Sequence, residues 1–186
     1  HTIQSLTELT GVKFGQMDIG AACASASHYG AWQYIASLPT NDPVVVLEHD
    51  AIMLHSITAQ APVLWDGNII ALGYKLTDPS KYDHNAAGKP YLVIPRTRHS
   101  GAHAYMITPN TARALLKELA EKGSPRAIDN FYFMRVNDPG DTESDIPLAL
   151  MVPTPAIAWL RKSTIWDAPS TLNYDVHESF STHHSQ

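Results

Sequence analysis

Cysteine is nearly absent from this sequence: Cys23 stands alone among 186 residues. A single thiol excludes an internal disulfide framework and fits a reducing compartment. Basic residues are scarce as well, with 13 Lys and Arg against 18 Asp and Glu and a formal net charge of −5. General nucleic-acid affinity comes mainly from neutralising phosphates, so no general nucleic-acid binding is expected of such a chain. Long apolar runs are missing too. None approaches the roughly 18 residues needed to span a bilayer, and no secretory-signal pattern opens the chain. The expectation is a cytoplasmic protein without a transmembrane segment. Position 1 is His rather than Met, so a targeting segment or a first strand upstream is compatible with the sequence.

What is present is the composition of an ordinary globular protein, 44% hydrophobic and 17% charged. The length suits one domain with a real core. Pro, Ser and Thr rise after about Pro153. The expected organisation is therefore one domain over residues 1–165 and an irregular C-terminal arm over residues 166–186.

Residues 20–38 read as a helix, with Ala24, His28, Trp32 and Ile35 at helical spacing. Cys23 lies in its Ala-rich start, where a small buried residue is the plainer role for it. Pro39 ends the helix. PVVVLEHD, residues 43–50, is β-branched without alternation, which predicts a strand buried on both faces, as in a mostly parallel sheet. Further short strands are predicted at residues 68–73, 91–95, 102–108 and 147–152. Thr108, Pro109 and Gly123 mark the cap, first turn and end of a helix carrying Ala112, Leu115, Leu116 and Leu119 as its apolar stripe. A shorter helix is predicted over residues 129–135. Strands alternating with helices predict an α/β fold, a mostly parallel central sheet flanked by helices.

The most informative stretch for chemistry is LEHDAIML, residues 47–54. Glu48 and Asp50 stand two apart where a predicted strand runs out. In extended chain both point to one side, and open α/β sheets bind ligands beyond the carboxyl ends of their strands. Two hard oxygen ligands there suit Mn²⁺ or Mg²⁺ gripping a diphosphate. The plainer alternative is a pair of solvated acids. His49 points the other way. In ASHYGAW, residues 26–32, Ser27 or His28 either lines a nucleotide or donor-sugar pocket or, for His28, packs beside Trp32. Tyr105 sits in a predicted strand after Gly101, where core and site roles both fit. Asp129 opens a helix, as an N-cap or as a general base. Ten histidines do not make a zinc site here, because His99 and His103 are separated by Gly101 in a strand rather than a helical turn.

Taken in order, these segments resemble glycosyltransferase family 25, the lipooligosaccharide and collagen β-galactosyltransferases. The resemblance covers residues 20–165. It runs through Ser27, His28 and Trp32; then Leu47, Glu48, Asp50 and Ala51; then Trp65, Asp66, Leu72 and Gly73. It continues through Tyr105, Thr108, Pro109, Ala112, Leu115 and Leu116; then Ile128 and Asp129; then Pro147, Leu148 or Leu150; and ends at Ser163, Thr164 and Ile165. His49 departs from the family pattern, which has an acid at that position. The family's opening strand has no counterpart, Cys23 falls one residue early, and a late Gln is missing.

The resemblance implies a nucleotide-sugar-binding fold of the GT-A type. It implies metal-dependent, inverting transfer of a sugar, galactose or glucose, from a nucleoside diphosphate donor such as a UDP-sugar. The acceptor would be a hydroxyl of a carbohydrate or glycosylated molecule. Carried over by position, Glu48 and Asp50 would hold the metal. Ser27, His28, Gly73 and Tyr105 would contact the donor, and Asp129 would be the base. The alternatives are a degenerate transferase-like binding domain without turnover and a viral transferase acting on a modified DNA base.

Overall fold

The computed structural model describes residues 2–54, 66–76, 91–93, 99–133, 144–152 and 156–158. Trp65, Ser163, Thr164, Ile165, the arm at 166–186, and residues 94–95 and 134–135 of the predicted elements lie outside the described residues.

Helix α1 (Ile3–Thr10) was not anticipated. Its start is a reciprocal capping box: Thr2 Oγ1 accepts from the Ser5 amide, and the Thr2 amide donates to Ser5 Oγ. Helix α2 (Ile19–Ala36) begins at Asp18, whose carboxylate accepts from the Ala21 amide at 2.8 Å. Strands β1 (Val44–Leu47) and β2 (Ala51–Met53) follow, then β3 (Ile69–Leu76), β4 (Tyr91–Val93) and β5 (His99–Ile107). Helix α3 (Pro109–Lys122) is capped by Thr108, as its sequence predicts. Gly123 closes it with φ +72°, and a side chain there would sit 2.8 Å from the Lys13 carbonyl, so the position requires glycine. A π-helical turn (Asp129–Phe133) and strands β6 (Leu148–Val152) and β7 (Ala156–Ala158) complete the described elements.

The main sheet has the order β1-β5-β3-β6-β4, and β2 pairs with β7 separately. Only β3 and β6 run parallel; β1 with β5, β3 with β5, and β4 with β6 are antiparallel. The α/β class holds, but the expected mostly parallel sheet does not. A β-branched run reports a preference for extended chain; neither burial on both faces nor the direction of the neighbouring strand follows from it. The expectation that residues 43–50 form a strand buried on both faces also fails. β1 is an edge strand of four residues, and its side chains alternate between half-buried and exposed.

Side-chain alternation divides the sheet into two faces. On one, Ile69, Ala71, Tyr105, Ile107, Leu148 and Leu150 meet Tyr29, Trp32 and Ile35 of α2 and Ala112, Leu115 and Leu119 of α3. Phe131, Tyr132 and Phe133 join them from the π turn. Trp32 stacks edge-on to Tyr132 at 5.1 Å. Burying a side chain of this size contributes about 1.5–3 kcal/mol, so this face carries most of the described core. On the other face, Ile70, Leu72, Ala104, Met106 and Met151 form a smaller cluster.

Candidate functional site

Strand β1 hands its last residues to a corner. Leu47 pairs with Ala104, and the Glu48 amide still bonds the His103 carbonyl at 2.8 Å. The chain then turns, closed by the Ala51 amide on the Glu48 carbonyl at 3.1 Å, and leaves for the β2–β7 pair. Glu48 and Asp50 therefore flank a turn rather than extended chain. The same-side argument from strand alternation does not apply to them.

The two acids have different surroundings. The Glu48 carboxylate accepts from His28 Nε2 at 3.1 Å and stays 37% exposed. That hydrogen bond holds its pKa below the ordinary carboxylate value, against the opposing effect of burial. Asp50 Oδ1 is sealed from solvent and has no hydrogen-bond partner among the described residues. A buried carboxylate oxygen without a donor is costly and is the kind of atom a cation satisfies. Beside them His103 is buried. Burial pushes its pKa down, while the negative charges of Glu48 and Asp50 pull the other way. Gly101, at φ +119°, lets the His103 ring lie against the backbone, since a β-carbon there would come within 2.6 Å of Nδ1 and Cε1.

His28 reaches the corner from α2. Its Nδ1 lies 2.9 Å from the Tyr105 hydroxyl, which also accepts from Trp32 Nε1 at 2.8 Å. Both ring nitrogens and the Tyr105 hydroxyl are thus committed within the protein. This arrangement does not fit the expectation that His28 and Tyr105 contact a donor directly. Burial, the largest cause, drives the Tyr105 pKa far above its ordinary value. Ser27 faces away: it is exposed, and its hydroxyl donates to the Cys23 carbonyl at 3.0 Å. Gly73 is buried within β3, between two register irregularities opposite β5, a backbone role rather than a ligand contact. Asp66 clamps the start of α3, accepting from Thr108 Oγ1 at 2.7 Å and Asn110 Nδ2 at 2.6 Å.

Asp129 comes to the same region. The Phe131 amide bonds the Ala127 carbonyl, so Asp129 does not cap it; its Oδ1 accepts from the Asn130 amide at 2.8 Å instead. Burial raises its pKa. The hydrogen bond from the Asn130 amide opposes this, and still smaller effects come from Glu48, which raises it, and His28, which lowers it. The tie is Ser25 on α2, whose hydroxyl accepts from the Ile128 amide at 3.0 Å. Ser25 and His28 share a helix face three residues apart. One helix thus positions the residue before Asp129 and the partner of Glu48.

Sequence reasoning missed Ser25 and His103. The spacing of Ser25 from His28 was a usable signal. Nothing local marks His103, because its place depends on the β1–β5 register. Among the described residues no group of three or more His, Cys, Asp or Glu side chains is arranged to hold a metal ion. The chain matches no protein-family model and no curated protein.

Proposed function

We propose that this chain is a metal-dependent glycosyltransferase of the GT-A type. It would transfer galactose or glucose from a nucleoside diphosphate donor, such as a UDP-sugar, to an acceptor hydroxyl with inversion. One observation carries the reading: the orphaned oxygen of Asp50 and the part-exposed carboxylate of Glu48 stand two residues apart at the corner that ends β1, while α2 ties both Glu48, through His28, and the residue before Asp129, through Ser25.

The donor set fits Mn²⁺ or Mg²⁺, which are often held by one or two carboxylates, with waters and substrate phosphates completing the shell. Glu48 and Asp50 would hold the ion. Bound there, it would supply charge neutralisation for the departing diphosphate. Asp129 takes the proton from the acceptor hydroxyl as that oxygen bonds the anomeric carbon; the bond to the diphosphate breaks, and its electron pair leaves with the phosphate oxygen. A carboxylate whose pKa is raised is a stronger base than a free one. The acceptor is a carbohydrate or a glycosylated molecule. A cytoplasmic setting goes with the free thiol of Cys23. No helix among the described residues is long and apolar enough to cross a membrane.

The lack of a third ligating side chain among the described residues favours a second reading, a transferase-like domain that binds a nucleotide sugar without turnover. Screening nucleoside-diphosphate sugars for diphosphate release with Mn²⁺ tests the first reading. Calorimetry with Mn²⁺ and UDP, showing binding without release, would select the second. Absence of both binding and release would sink both.

A further inference from the structure

We propose that Tyr105, itself held by Trp32, sets the ring tautomer of His28 so that its Nε2–H fixes the Glu48 carboxylate. An indole nitrogen only donates, so Trp32 Nε1 takes one acceptor site on the Tyr105 oxygen, 2.8 Å away. Tyr105 is fully buried, and its one hydroxyl proton needs an acceptor. His28 Nδ1, 2.9 Å away, is the remaining partner of that hydroxyl. Nδ1 therefore carries a lone pair. The proton of the neutral ring then sits on Nε2, 3.1 Å from Glu48 Oε1.

The other two states of the ring each break a contact. A proton on Nδ1 alone strands the Tyr105 hydroxyl proton and sets the Nε2 lone pair against a carboxylate. A doubly protonated ring keeps Glu48 but again strands the Tyr105 proton, now between two donors. Only the Nε2–H tautomer satisfies Trp32, Tyr105, His28 and Glu48 together. His28, Tyr105 and Trp32 are thus positioning residues. They hold Oε1 of Glu48 and leave Oε2 for the proposed ion. This functional consequence rests on the proposed metal reading, whereas the tautomer does not.

The test has two arms on the full chain. A two-bond ¹H–¹⁵N spectrum of ¹⁵N-labelled protein at neutral pH should show His28 with its proton on Nε2 and an unprotonated Nδ1. Tyr105→Phe should release the ring to a mixture of tautomers. In the second arm, Mn²⁺ alone is titrated. Loss of an outer partner of a metal ligand costs about 10–100-fold in affinity, and that loss is expected for Tyr105→Phe and His28→Asn. His28→Gln places an amide donor where Nε2–H stood and should recover most of it. A wild-type His28 protonated on Nδ1, or on both nitrogens, overturns the proposal, as does a Gln variant as weak as the Asn variant. If Tyr105→Phe does not fold, the wild-type spectrum and the Gln/Asn pair still decide. If the wild type binds no Mn²⁺, the metal reading falls while the spectrum alone decides the tautomer.

Discussion

The helix-covered face of the sheet and its β1 edge are made of similar residues but meet opposite conditions. Tyr105 and Ile107 on β5 are sealed beneath α2, α3 and the π turn. One strand over, Val44 and Val46 pack against the same cluster while Val45 and Leu47 are 36% and 45% exposed. The covered face is buried and rich in aromatic rings, with Trp32 and Tyr105 hydrogen-bonded to each other. The edge ends in a turn with one carboxylate oxygen that has no hydrogen-bond partner among the described residues. The contrast separates structural work from chemical work. The covered face supplies fixed partners, and the edge supplies the acids that those partners orient.

The comparison breaks most directly at Trp32. Trp32→Ala should cost about 3–5 kcal/mol by denaturant unfolding, because it opens a cavity beneath α2. A loss under about 1 kcal/mol would show that the covered face is not the core. Next is Asp129→Asn, which keeps the shape but cannot take a proton. Transfer activity should fall by about 10²-fold or more with the fold retained. Unchanged transfer would remove Asp129 as the base.

Asp50→Asn probes the orphaned oxygen. Without metal the variant should melt no lower than the wild type, since a buried unpaired carboxylate stabilises nothing. The rise in Tm that Mn²⁺ gives by binding the folded state should vanish. A variant that keeps this rise would place the ion elsewhere.

Asp129 also carries a pH signature. Its pKa is raised above the ordinary 3.8 in the folded state, so the folded protein holds that proton more tightly than the unfolded chain does. Stability from the protonated group is present below 3.8 and lost as pH rises through the folded value. Asp129→Asn should therefore gain stability relative to the wild type across that window and hold the gain above it. A pH-independent difference would contradict the burial of Asp129. The smallest effect is expected at the edge itself: Leu47→Ser should change unfolding stability by no more than about 0.5 kcal/mol. A larger cost would mean that the exposed side of β1 is covered.

Local signals were legible at α3, though the Thr2–Ser5 capping box of α1, just as local, was missed. Thr108, Pro109 and Gly123 bound α3 where they stand in the sequence, because caps act within one turn. The helical spacing put His28, Trp32 and Ile35 on the buried face of α2, whereas Ala24, assigned to the same face, is exposed. For the site, the sequence marked Glu48, Asp50 and Asp129, and the structure brings them to one region. It also named Ser27 and Gly73, which lie in other roles. Adjacency to a motif residue does not decide which way a side chain faces around a helix.

By itself, then, the sequence determined the alternation of helices and strands, the ends of α2 and α3, and the acids that could carry chemistry. Each depends on periodicity or on contacts within a turn. Only the tertiary structure decided that the sheet is mixed, that β1 lies at its edge, and that Trp32, Tyr105 and His28 form a chain to Glu48. Tyr105 lies 77 residues from His28 in sequence. Such pairings are fixed by the strand order β1-β5-β3 and by the packing of α2 over it. Strand order depends on which distant segments bury the most surface together, and that sum is not written in any local pattern.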